Sequence, residues 1–351
     1  MELSAGKLWG LRRIADAAGR FKMTAVDQRP PIKNLVAERR GTPEAPYDDV
    51  ANVKSLLVEE LAATSSAMLL DPHYAYPRAI QYVRPSQGLI LTLEDSVFEE
   101  TPQGRRSAAI DHWSVEKIKR IGGDAVKVLA WYRPDADPSV CDNQKRFVAS
   151  IGDACRRYDI PFVFELLLYP LPGDTRHTTD YVEQVGKRTE HVLESVVTFA
   201  DEAYGVDIFK LESPIPATAV PDASGSDAAE AQAAFDELGR LAGRPWVMLS
   251  AGAGKADFRR ILEYAYRAGA SGYLAGRAIW WEAFQAFPDL DDMRRQLRSE
   301  GVGYMEEINR LTDEAAVPWH THPRYGEGPA LDGDGAEFRA TYAGFSDGGE
   351  R

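Results

Sequence analysis

Cysteine is nearly absent. Cys141 and Cys155 are all that the chain contains, and both fall in one helical-looking segment. A disulfide framework and a cysteine-held zinc site are thereby excluded, and a reducing compartment is expected. Histidine is also scarce: of His73, His112, His177, His191, His320 and His322, only His73 lies just past an apolar run that reads as strand. Zinc chemistry, which needs a cluster of such ligands, has little to build on. No apolar run approaches the ~20 residues of a membrane span. The stretch Met1 to Lys7 lacks the basic start and apolar core of an export signal. A cytoplasmic location is the expectation. Basic residues are outnumbered, 41 against 54, for a net charge of −13, so neither nucleic acid nor a membrane surface is expected as a partner. An anionic substrate would need a local basic pocket.

What is present is a repeating pattern. Eight short apolar runs, each followed by a longer amphipathic segment, cover residues 21–27, 65–71, 88–93, 124–131, 160–167, 206–212, 246–251 and 272–276. Most are rich in Val, Ile, Leu and Phe with little polar alternation, as strands buried on both faces are. Helical periodicity marks Val53 to Ala62, Val115 to Ile121, Phe147 to Tyr158 and Ile261 to Ala268. This alternation predicts an α/β fold of the (β/α)8 TIM barrel type, a single domain over residues 1–322 with an N-terminal extension. A doubly wound open sheet competes, but the position for its Gly-rich loop holds Asp27-Gln28-Arg29-Pro30-Pro31. The loops at 95–112 and 168–186 are long and polar, and belong on the catalytic face or hang from it. From residue 323 to 351 the chain is rich in Gly, Asp and Glu, which predicts a poorly ordered tail or a partner-covering arm. Exposed barrel helices commonly pair, so a homo-oligomer is expected.

Charged residues interrupt three neighbouring runs. Residues two apart share a strand face, so Lys127 goes with Ala125 and Leu129, Glu165 with Val163, and Lys210 with Ile208. The bulkier apolar sets on the opposite faces suit the helix layer, which directs Lys127, Glu165 and Lys210 into the barrel. Asp27 closes the first run, with Arg29 two residues on. A buried ion-pair network is a poor way to stabilise a barrel, whereas this end of a barrel is where catalysis sits. A desolvated ammonium tends to lose its proton, and a neutral lysine amine is a nucleophile towards carbonyls. Lys210 can then add to a ketone as an iminium. In this reading Lys127 raises the local positive potential, Glu165 moves protons, and Asp27 binds hydroxyls or shares the acid–base work. The seventh run ends Ser250-Ala251-Gly252-Ala253-Gly254 and the eighth ends Gly276-Arg277 before a helix. Loops after strands seven and eight commonly hold phosphate, and Arg277 adds a bidentate fork.

Several of these stretches, in this order, resemble the class I aldolases of the tagatose-1,6-bisphosphate aldolase family. They are Ala25-Val26-Asp27-Gln28-Arg29, Ser66 to Pro72, Asp124-Ala125-Val126-Lys127, Phe209-Lys210-Leu211-Glu212, Leu249 to Gly252 and Ala275 to Ala278. The resemblance implies cofactor-free cleavage of a ketose 1,6-bisphosphate to dihydroxyacetone phosphate and glyceraldehyde 3-phosphate. It implies Lys210 as the Schiff-base lysine and Glu165 as the proton shuttle, with Lys127 and Asp27 assisting. Ser250, Gly252, Gly276 and Arg277 would hold the C1 phosphate, and Arg29 would lie near the distal anion. Two stretches, Ala268 to Arg277 and Leu129 to Arg133, are similar to sulfofructose-1-phosphate aldolases, which receive a sulfonate at the far end and would release sulfolactaldehyde instead. A non-catalytic sugar-phosphate-binding barrel would keep Ser250, Gly276 and Arg277 but has no use for Lys210 or Glu165. A barrel isomerase using Glu165 as base would need no imine.

Overall fold

The computed structural model describes residues 1–171, 173–174, 183–184 and 186–345. All eight apolar runs form parallel strands: β1 (Phe21–Ala25), β2 (Ala67–Leu70), β3 (Gly88–Thr92), β4 (Ala125–Trp131), β5 (Phe162–Leu167), β6 (Ile208–Leu211), β7 (Trp246–Met248) and β8 (Gly272–Ala275). They close into one barrel in chain order, with β8 pairing back onto β1. Helices lie between successive strands, including Tyr47–Leu61, Val115–Arg120, Pro138–Arg157 and Lys255–Arg267. Capping sets some of their starts. Ser114 accepts from the Lys117 N–H and Asp137 from the Ser139 N–H, each satisfying an orphan donor of the first turn. No helix among the described residues is long and apolar enough to cross a membrane.

Strand alternation divides the apolar residues into two layers. Met23, Ala25, Leu69, Ile90, Ala125, Val163, Ile208, Val247 and Leu274 fill the barrel interior. Val126, Val128, Phe162, Phe164, Phe209 and Leu211 face the helices in the larger outer core. Lys127, Glu165 and Lys210 therefore continue the inner rows one step further along, as period two requires. The helix Ala5–Ile14 closes the other end of the barrel, with Leu11 and Ile14 packed into the inner core.

Two segments depart from the sequence reading. The polar stretch 95–112 contains an antiparallel ribbon, Glu99–Thr101 with Gly104–Arg106. Arg105, fully buried, anchors it with its guanidinium 4.4, 4.8 and 5.1 Å from the rings of Phe98, Trp131 and Tyr169. The expected loose tail is corrected for residues 323–345. Ala330–Leu331 pair with Glu2–Leu3, Tyr325 is buried, and the Tyr342 hydroxyl donates to Asp159 at 2.6 Å. A few well-placed aromatics hold a segment whose average composition is that of a tail. Part of the 168–186 loop and its His177, with residues 346–351, lie outside the described residues.

Gly10 shows how tightly the closing helix sits: an added Cβ would lie 2.4 Å from the Asp124 carbonyl oxygen and 2.6 Å from Pro161 Cδ. Backbone and ring cannot yield locally, so Gly10→Leu is expected to cost roughly 1–3 kcal/mol. A urea titration in which this variant matches the parent chain would refute that packing.

Candidate active site

Register brings the charged residues together at the C-terminal ends of the strands. Glu165 pairs directly with Lys210 across β5 and β6, while Leu129 stands opposite Glu165 on β4. The Lys210 ammonium donates to Glu165 Oε2 at 2.8 Å. Lys127 Nζ lies 2.9 Å from the same oxygen, 2.9 Å from Asp27 Oδ2 and 2.6 Å from Glu94 Oε1. All five side chains are buried. Lys210 is thus a partnered amine rather than a lone desolvated one. Lys127, expected as a source of positive potential, is a cation held among three carboxylates, so its field on its surroundings is largely offset.

Charge state follows from these contacts. Burial alone would depress the Lys127 pKa, but Asp27, Glu165 and Glu94 outweigh it and hold that pKa well above the ordinary lysine range. Burial would raise Glu165, yet Lys127 and Lys210 bring it below the usual glutamate value. Burial opposes the charged form of Asp27 too, and Lys127 with Lys210 wins, taking it down to about 2. The three groups keep each other ionised.

The cleft above this cluster has a volume of about 570 Å³, open to solvent at its mouth. Its walls bring together Asp27, Arg29, Lys127, Glu165, Lys210, Ser250, Gly276 and Arg277, all read from the sequence as site residues. Gly252 does not line it. That residue (φ +87°) follows Ala251 (φ +46°) in a left-handed turn and lies beside the Arg277 guanidinium. Its positive φ lets the loop turn, and the absence of a side chain lets Arg277 approach. Gly276 caps the helix Arg277–Phe284, and both Gly276 and Arg277 line the cleft. Arg29 donates to the Glu94 carbonyl at 2.9 Å, while its Nε and Nη1 have no hydrogen-bond partner. Burial of two such donors leaves unspent capacity for an oxyanion.

Glu94 is the residue that sequence reasoning missed. The third apolar run was ended at Leu93, one residue short. Continuing its inward row from Ile90 through Thr92 reaches Glu94, and the Thr92 hydroxyl donates to Glu94 Oε2 at 2.6 Å. Gln28 and Ser96 also line the cleft. Among the described residues no three His, Cys, Asp or Glu are grouped to hold a metal ion. The space between Asp27, Glu94 and Glu165 is filled by the Lys127 ammonium.

A family model described as DeoC/LacD family aldolase matches residues 21–282. The tagatose 1,6-diphosphate aldolase of Listeria monocytogenes is 32% identical over 334 residues, covering 93% of this chain and 96% of its own. Tagatose 1,6-diphosphate aldolase 2 of Streptococcus mutans is 31% identical over 327 residues, covering 91% and 98%. Among solved structures, a Schiff base forming fructose-1,6-bisphosphate aldolase superposes with a TM-score of 0.54 at 17% identity, covering 86% of this chain and 98% of that one. The fructose-bisphosphate aldolase of Plasmodium falciparum gives 0.62 at 12% identity, covering 90% and 98%. At such identities the two structures speak for the barrel fold alone.

The depressed Asp27 pKa has a sign that can be tested. An aspartate lowered from 3.8 to about 2 on folding contributes stability above pH 4 that is lost as pH falls towards 2. Between pH 5 and pH 3 the parent chain should lose on the order of 1 kcal/mol more unfolding free energy than Asp27→Asn, whose amide does not titrate. Parallel denaturant curves for the two across this range would show that Asp27 is not held ionised by the lysines.

Proposed function

The chain belongs to the DeoC/LacD aldolase family, and from that premise we propose that it is a class I, Schiff-base aldolase cleaving a ketose 1,6-bisphosphate of the tagatose type. The products are dihydroxyacetone phosphate and glyceraldehyde 3-phosphate. One observation carries the reading: a buried lysine amine, 2.8 Å from a carboxylate and facing an open cleft. Listeria and Streptococcus relatives named as tagatose 1,6-diphosphate aldolases support the substrate class.

The proposed sequence begins when Lys210 passes a proton to Glu165 Oε2 and its lone pair attacks the ketose C2 carbonyl. Glu165 returns a proton to the carbinolamine hydroxyl, which leaves as water and gives the iminium. The C3–C4 bond then breaks, its electron pair flowing into the iminium to form an enamine. The C4 hydroxyl loses its proton to a carboxylate, either Asp27 or Glu165, and departs as the aldehyde. Protonation of the enamine at C3 and hydrolysis release dihydroxyacetone phosphate and restore the lysine. Lys127 keeps Asp27 and Glu165 ionised and holds Glu94 in place. Ser250, the Gly276 turn and Arg277 take the C1 phosphate, with Gly252 shaping the loop. Arg29, with two unpartnered donors, takes the distal anion. Four basic and three acidic side chains line the cleft, so a chain of net charge −13 carries a local excess of positive charge where a bisphosphate needs it.

Borohydride reduction in the presence of dihydroxyacetone phosphate should add the mass of one reduced triose phosphate at Lys210. Absence of an adduct, or an adduct at Lys127, refutes the assignment. Lys210→Ala should lower turnover in a coupled triose-phosphate assay by roughly three orders of magnitude or more while leaving the circular dichroism spectrum unchanged. Arg277→Ala should act chiefly on KM, raising it about ten- to a hundredfold, the worth of one or two charge-assisted hydrogen bonds. A substrate panel that turns over only the 6-sulfonated ketose phosphate would move the distal anion from phosphate to sulfonate.

A further inference from the structure

A second buried charge cluster lies directly behind the cleft wall, and the chemistry above makes no use of it. Lys187 Nζ is fully buried, 3.0 Å from Glu212 Oε2, 2.5 Å from Glu183 Oε1 and 2.5 Å from the Ser213 carbonyl. The other oxygen of Glu212 accepts the Leu168 N–H at 2.7 Å. The other oxygen of Glu183 accepts the Ala217 N–H at 2.9 Å, and the Glu183 N–H donates to the Ala251 carbonyl at 3.1 Å. None of Lys187, Glu183 and Glu212 lines the cleft, but their immediate neighbours do: Leu167 precedes Leu168, Lys210 lies two residues before Glu212, and Ala251 forms part of the wall.

The sheet ladder cannot supply these connections. β5 ends at Leu167, β6 at Leu211 and β7 at Met248, so the peptides at 168, 212–213 and 251 lie past the last inter-strand rungs. Side chains hold those at 168 and 213 instead, and the backbone N–H of Glu183 holds the one at 251. A buried carboxylate and ammonium with a second, partly buried carboxylate are a weak route to stability, since apolar residues of the same size commonly do as well. Burial pushes the Glu212 carboxyl up, against the pull of Lys187, so keeping it charged has a cost that packing alone would not impose. What the cluster supplies is fixed relative height for three strand ends.

We propose that Lys187 and Glu212 are positioning residues for the aldol reaction: Glu212 ties the end of β6 to that of β5 through the Leu168 N–H, and its ion pair with Lys187 ties both, through Glu183, to the loop after β7. The Lys210 amine is thereby held at a set distance from a phosphate bound near Ser250 and Arg277. The inference rests on the Schiff-base reading of Lys210.

Glu212→Gln tests it with little risk to the fold, because the amide keeps an oxygen for the Leu168 N–H and Lys187 keeps Glu183. In the coupled assay with tagatose 1,6-bisphosphate, kcat is expected to fall roughly ten- to a hundredfold with KM changed far less, as an ångström-scale misplacement of a reacting group does. Borohydride trapping with dihydroxyacetone phosphate should slow in parallel. Lys187→Met should do the same, and Lys187→Arg should recover part of the loss. A folded Glu212→Gln variant whose kcat stays within twofold of the parent overturns the proposal, whatever happens to its melting temperature; this variant decides the matter even if Lys187→Met fails to fold. A parent enzyme without turnover or trapping overturns the aldolase reading itself, which separates the two failures.

Discussion

Glu165 Oε2 accepts from two ammonium groups at once, 2.8 Å from Lys210 and 2.9 Å from Lys127. Removing a carboxylate from water costs several kcal/mol, and an unpaired one would be protonated instead. Two cations on one oxygen make ionisation the favoured state, which is why its pKa lies below the ordinary value despite burial. The arrangement needs three adjacent strands in a single register, with Glu165 opposite Lys210 and one layer beyond the Lys127–Val163 rung. Slipping any strand by one residue would turn its charge into the helix layer. The closed barrel is what forbids that slip, because every strand is clamped on both edges.

The cluster also divides labour among like side chains. Asp27, Glu94 and Glu165 surround Lys127, so that lysine is an interior counter-ion and the three carboxylates are its ligands. Removing it would take away the charge that lowers Asp27 and Glu165, and their pKa values would rise together. Arg29 extends the same logic outward, spending one nitrogen on the Glu94 carbonyl while two remain for something else. The site is therefore graded, neutralised at its floor and positive at its mouth.

Much of this was legible in the sequence, for a physical reason. Parallel barrel strands are buried on both faces, so each appears as a compact apolar run, and a charged residue inside such a run stands out. Period two then gave the inward faces of Lys127, Glu165 and Lys210 without any knowledge of neighbours. Glu94 escaped because it follows the run rather than interrupting it. The ribbon at Glu99–Arg106 escaped because its strands are polar and two of the three rings over its anchor, Arg105, those of Trp131 and Tyr169, come from distant segments. For Gly252 the sequence shows the loop but not the task, since whether a glycine faces a ligand or merely permits a turn depends on a neighbouring side chain, here Arg277. The Lys187 cluster was only half visible: Glu183 stands four residues before Lys187, but Glu212, Leu168 and Ala251 come from separate stretches that no spacing along the chain relates to it.

Two lysines contact the same carboxylate oxygen, so proximity to Glu165 alone does not select the nucleophile. Their other surroundings do. Lys127 is bound by carboxylates on three sides, and deprotonating it would strand three negative charges in a buried space, which holds its pKa far above the range where an amine can attack. Lys210 has a single charged partner among its hydrogen bonds, and that partner is already satisfied by Lys127. When Lys210 surrenders its proton, Glu165 is not left uncompensated, because Lys127 still faces it. The fixed cation thus enables the chemistry of its neighbour by making that proton transfer tolerable in a low-dielectric site. On the proposed chemistry, the lysine that never reacts is what allows the other one to do so.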